Sequence, residues 1–204
     1  MIGAVIAASA LTFYLPDSLR LAPAWVLPVV EAALVVTLLV ADPGRIDNRA
    51  RSVRLVSLGL VAVLALSALW STVRLIDNLT HGGKETSSAS ALLQSGTSVW
   101  AATIVAFALV YFELDGGGPA TRAHLSPPYP GLAFPQHLSP ELAPPGWRPR
   151  FGDYLYLALT NSTAFSPTDV MPLTHWSKAT MAVQSLASLA IIGLVLARGV
   201  NVLT

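Results

Sequence analysis

The sequence predicts an all-α integral membrane protein of about five transmembrane helices, with one re-entrant, pore-loop-like half-helix before the last span. Three observations carry that expectation. Residues are 53% hydrophobic and only 11% charged, against about 25% charged in ordinary soluble domains. The few charges are also segregated. Nothing ionisable interrupts Leu55–Val73 or Ala179–Ala197, runs of about 19 residues where a span needs about 20. Third, the stretch 151–170, FGDYLYLALTNSTAFSPTDV, begins as an apolar helical pattern, passes through four small polar residues, and meets a proline. An apolar half-helix running into a polar break, next to a further span, is the pattern of a chain that enters the hydrocarbon and turns back. Such backbone is tolerated at membrane depth only where protein or water satisfies it.

The elements follow in order. Met1–Leu15 is apolar and is closed by Pro16 and Asp17. It lacks the basic start of a signal peptide, although Ala8-Ser9-Ala10 has small-residue cleavage character, so a short first span is favoured over a leader. Leu21–Ala41 is the second span, interrupted only by Glu31 and stopped by Asp42-Pro43-Gly44, where Pro ends the helix and Gly suits the turn. Leu55–Leu75 and Thr97–Phe112 are the third and fourth, the latter ended by Gly116-Gly117-Gly118-Pro119. The re-entrant helix is expected over Asp153–Thr163, and Trp176–Val200 is the last span. In regions, 1–113 is a four-helix membrane part, 114–150 a Pro/Gly-rich linker, and 151–204 the half-helix with the final span. The linker's composition opposes a packed core and favours an irregular surface connection, with Trp147 as an interfacial anchor. No internal repeat supports an inverted-repeat transporter.

Arg45, Arg49, Arg51 and Arg54 share a face with the linker's Arg122, Arg148 and Arg150 and with Lys178, against Arg20, Arg74, Lys84 and Arg198 opposite. The positive-inside rule makes the linker face cytoplasmic. With no cysteine, disulfides and thiolate metal sites are excluded. His81, His124, His137 and His175 show no metal-ligand spacing. A net charge of +1 carries no nucleic-acid footprint. No ordered triad, carboxylate pair or phosphate loop is present, so neither enzyme activity nor a cofactor is expected.

Asp153, Tyr154, Leu155, Tyr156, Thr160, Phe165, Thr168, Asp169, Val200 and Asn201 form a pattern that resembles an uncharacterised family of bacterial multi-spanning membrane proteins. That resemblance covers about a quarter of the chain and implies a fold and a bacterial inner-membrane location. More distantly, Thr160, Thr163, Asp169, Pro172 and the helix from Trp176 are similar to the pore module of two-span potassium channels. The likeness implies a pore loop. A selective potassium ladder is not expected, because Ala164–Thr168 offer no glycine for the unusual backbone of a carbonyl filter, and Pro167 fixes φ and removes an N–H.

The first functional expectation is a channel-like protein passing ions or small solutes through a re-entrant constriction. Thr160, Asn161, Ser162 and Thr163 would line it, Phe165 would gate it, and Asp169 would attract cations at its mouth. Equally in keeping with the residues, the hydroxyls cap a broken helix and Asp169 closes an Asx-type turn. Glu31, one turn after Pro28, is an intramembrane acid and thus a functional hypothesis by default, or else a neutral group sealing helix packing. Arg74 and Asp77 read as an interfacial ion pair. Small residues from Ala179 to Ala197 allow close helix approach, and Gln184 among them must find a partner. The expected partners are membrane lipid, a monovalent cation and further copies of the chain. The alternatives are a non-conducting scaffold or regulatory subunit, and a proton-coupled carrier using Glu31.

Overall fold

A computed structural model describes residues 10, 15–23, 25–26, 29, 32, 49–82, 88–124, 130–164 and 169–203. Among these, three long helices dominate: α1 (Arg49–His81), α2 (Ala89–Leu114) and α6 (His175–Leu203). Between α2 and α6 lie two short helices, α3 (Pro119–His124) and α4 (Pro135–Leu138), and the 14-residue α5 (Phe151–Ala164). The two-residue strands β1 (Leu132–Ala133) and β2 (Met171–Pro172) pair antiparallel.

Arg54–His81, Ala89–Gly117 and His175–Val200 are long and apolar enough to cross a membrane, which fits a membrane protein. They correspond to the third, fourth and last expected spans and extend beyond the expected limits. The first expected span falls almost wholly, and the second for the most part, outside the described residues; Glu31 and Phe165 lie outside them. Large apolar side chains cover the outside of this bundle: Leu66, Trp70 and Val73 on α1, and Leu186, Leu189, Leu196 and Val200 on α6, are exposed. So much apolar surface suits lipid rather than water.

Each helix has a local reason to start or stop. Ser88 caps α2 by accepting the Ala91 N–H at 3.3 Å. Gly116, Gly117 and Gly118 then all adopt positive φ, which glycine alone does cheaply. Asp153 begins α5 by reaching back to the Arg150 N–H at 2.6 Å, and its charge suits the helix N-terminus. Thr174 and Ser177 bond each other's backbone N–H at the start of α6, a reciprocal cap.

Two helix-to-helix registers define the bundle's ends. The close approaches of Gly96 to Val195 and Gly199 to Leu92 run α6 antiparallel to α2. Phe112 packs its ring edge-on against both Phe151 and Tyr154, so α5 begins beside the C-terminal end of α2. Accordingly α5 and α6 both start at one end of the bundle, where β1 and β2 also pair. The Leu173 N–H donates to Gly131 O at 2.9 Å and extends that ladder.

The linker differs from its expected form. Pro144, Pro145, Gly146 and Arg148 are exposed, but Gly131–Phe134 is buried. Leu132 and Phe134 join Tyr154, Leu157, Val170, Met181 and Tyr111 in one core cluster. Composition misleads here because four consecutive residues, Gly-Leu-Ala-Phe, are enough to fill a gap at the bundle's end. A helix covers the expected stretch Asp153–Thr163 and runs slightly further, from Phe151 to Ala164, so Thr160–Thr163 lies within it. Thr160 and Thr163 hydroxyls donate to carbonyls three and four residues back, so the small polar residues do not break the helix.

Candidate functional site

The helical period splits the expected constriction residues between two faces of α5. Tyr154, Leu157, Ala158, Asn161 and Ser162 are buried, while Gly152, Tyr156, Leu159 and Thr163 are exposed, the spacing of a helix with one packed stripe. Thr160 is half-buried at the boundary. The structure therefore brings Asn161 and Ser162 together inside the bundle and sets Thr160 and Thr163 towards its outside. Asp169 is exposed. Phe165 and Glu31 lie outside the described residues.

Inside, the two inward residues meet Gln184 of α6, which is fully buried. Its Oε1 accepts the Tyr111 hydroxyl at 2.6 Å and the Asn161 amide at 2.9 Å. Its Nε2 donates to Ala158 O and to Ser162 Oγ, both at 2.8 Å. Asn161 Nδ2 also donates to Met181 O, and the Ser185 hydroxyl donates to Asn161 Oδ1 at 3.0 Å. An amide has two donors and two acceptor positions, so Gln184 is saturated. The cluster ties α2, α5 and α6 together with neutral groups only.

A second cluster sits at the bundle end and carries charge. Asp115 is buried. Its Oδ1 accepts the Gly131 and Leu132 N–H groups at 2.8 and 3.1 Å, and its Oδ2 accepts the Tyr154 hydroxyl at 2.6 Å. The Arg122 guanidinium donates to Asp115 O and lies over the Phe112 and Tyr154 rings, 4.9 and 5.1 Å from their centroids. Arg148 closes the group by donating to Arg122 O at 2.7 Å. Gly131 permits its contact with Asp115: a Cβ there would stand 2.5 Å from the Trp176 ring.

Sequence reasoning missed Asp115. Its signal was present, since an acid at the C-terminal end of a helix opposes the macrodipole and has to be compensated by donors elsewhere. It likewise passed over Glu113, buried near the C-terminal end of α2 beside the buried Ser57 of α1. Arg74 and Asp77 form the expected pair at 3.6 Å, with His81 at 3.0 Å from the same carboxylate. Among the described residues no group of three His, Cys, Asp or Glu side chains is placed to hold a metal. A cavity of about 10 Å³ between α1 and α2, lined by Ser67, Ser71 and Ala102, has room for about one water.

No family model, curated protein or solved structure matches the chain.

Proposed function

We propose that this is a channel-like membrane protein in which α5 is a re-entrant half-helix. Its outward face, with Tyr156, Thr160 and Thr163, would line a path for a monovalent cation or small polar solute between copies of the chain, with Asp169 near its mouth. One observation carries the reading: α5 and α6 begin at the same end of the bundle, held there by the β1–β2 ladder. A chain that goes in along α5 must come back before α6 can start.

Lengths support it. At 1.5 Å per residue α5 is about 21 Å long, short of the ~30 Å hydrocarbon core. The seven steps from Ala164 to Met171 reach about 23 Å when extended, enough to return over that distance. The Thr160 and Thr163 hydroxyls donate to their own helix, leaving oxygen lone pairs directed away from it, the kind of ligand that replaces water around a solute. A bacterial inner membrane, with the linker face cytoplasmic, belongs to the same proposal.

The second reading is a non-conducting scaffold or regulatory subunit. It is favoured by the engagement of Asn161 and Ser162, two of the four expected lining residues, in bonds to Gln184. Flux into proteoliposomes separates the two. The channel reading expects cation or solute flux that changes when Thr163→Val and Asp169→Asn are combined. Purified, reconstituted protein that shows no flux in either form leaves the scaffold reading standing.

A further inference from the structure

The two faces of α5 are chemically alike, and this raises the question of what chooses between them. Tyr154 and Leu157 are fully buried, whereas Tyr156 is 54% and Leu159 41% exposed. The same residue types thus occur on both faces, two positions apart. In a bilayer the surroundings of a bundle are as apolar as its interior, so burying one Tyr-Leu pair in place of the other gains little. Asp115 fixes the first turn of α5 through Tyr154. From the second turn onward the inward and outward faces differ mainly by Asn161 and Ser162.

We infer that Gln184 is the positioning residue that sets the rotation of α5 about its own axis, and with it which hydroxyls face outward. Gln184 reads α5 at three points on one stripe: the Ala158 carbonyl, the Asn161 amide and the Ser162 hydroxyl. Tyr111 fixes the remaining acceptor position of Gln184 from α2, so the amide cannot follow α5 if it turns. A rotation by one residue, about 100°, removes all three contacts and leaves Gln184 only its Tyr111 partner, with both amide hydrogens unbonded. Hydrogen bonds in a low-dielectric interior are costly to leave unmade. The cluster is complete, with every hydrogen-bonding position of Gln184 used, and a complete polar cluster specifies one arrangement rather than several. What the outward face does once positioned rests on the channel reading; the rotation itself does not.

The chain has no cysteine, so a single introduced cysteine can be spin-labelled at positions 156, 157, 159, 160 or 163 without competition. In reconstituted protein, collision with molecular oxygen should be high at 156, 159 and 163 and low at 157. Gln184→Leu should erase that contrast at 159 and 163, lowering collision there towards the value at 157, while leaving position 156, in the turn nearest Asp115, as it was. Should that variant fail to fold, a four-fold exchange, Tyr111→Phe, Asn161→Leu, Ser162→Ala and Gln184→Leu, removes the stranded polar groups together and should give the same loss of contrast. A folded protein of either kind that keeps the native contrast overturns the inference, because packing alone would then set the rotation. A water-soluble nickel relaxant read at 160 and 163 reports separately on the channel reading: its exclusion would speak against an aqueous path and leave the rotation result intact.

Discussion

The Asp115 and Gln184 clusters solve the same problem at two depths of the bundle with different chemistry. At the end of α2, where the chain leaves the apolar region, a full negative charge is held by two backbone N–H groups and a phenol, with a guanidinium stacked beside it. About two turns further along α5, only neutral amides and hydroxyls are used. Burying a charge costs several kcal/mol even after relaxation, and that cost grows with distance from water. A charged node therefore fits the bundle end and ties loop to helix. A neutral node fits the interior and ties helix to helix. The difference teaches that the polar residues of such a bundle sort by depth as well as by partner.

The comparison breaks most readily at the charged node. Asp115→Ala leaves two backbone donors and the Tyr154 hydroxyl buried and unbonded, at about 1–3 kcal/mol each, so a loss of at least about 3 kcal/mol is expected in detergent unfolding. Asp115→Asn keeps an acceptor for Gly131 and Leu132 and should cost far less. Equal losses from both would mean that the charge, and not the acceptor geometry, holds the node. Gln184→Leu comes next, at about 2 kcal/mol, because interhelical hydrogen bonds in membranes average well under 1 kcal/mol each. If its loss exceeds that of Asp115→Ala, the ordering by depth is wrong.

Gly131→Ala should cost about 1–3 kcal/mol, the usual penalty of overpacking, since its methyl meets the Trp176 ring. Thermal unfolding followed by tryptophan emission would read it directly. Thr160→Val and Thr163→Val should each stay within about 0.5 kcal/mol of the parent, as their hydroxyls serve only their own helix.

The smallest effect is expected at His137. Packing beside Phe134 and Trp147 lowers its titration point below the ordinary histidine value, a shift partly opposed by Asp115. Its Nδ1 also meets the Phe134 N–H at 3.3 Å, a contact that only the neutral ring accepts. The folded state therefore binds fewer protons than the unfolded one, and stability rises with pH across that interval. The contribution is complete above the ordinary histidine value and is lost as pH falls through the folded one. Imidazole NMR titration of the native protein checks the direction.

Much of this architecture was legible from charge placement alone. Leu55–Val73 and Ala179–Ala197 could be recognised because a span excludes ionisable groups, and their helices simply run further than the uncharged cores. Gln184 was legible for the same reason, as a lone amide in such a run. Asp115 was not, because its partners Gly131 and Tyr154 lie 16 and 39 residues away, and no periodicity spans that distance. The buried Gly131–Phe134 segment was hidden by the proline-rich composition around it. The division of Thr160–Thr163 between two faces was open to the helix expected over Asp153–Thr163, but the four residues were grouped as one lining. Hydroxyls that bond back to their own helix make such a run compatible with continued helix.

Impermeant thiol labelling tests the account at its root. Gly152 near the start of α5 and Leu173 just before α6 are both exposed, and a cysteine introduced at either is the only thiol in the chain. In sealed, uniformly oriented vesicles the two positions should react from one and the same side of the membrane. Reaction from opposite sides would mean that the chain crosses between them, contradicting the half-span and the path proposed along it.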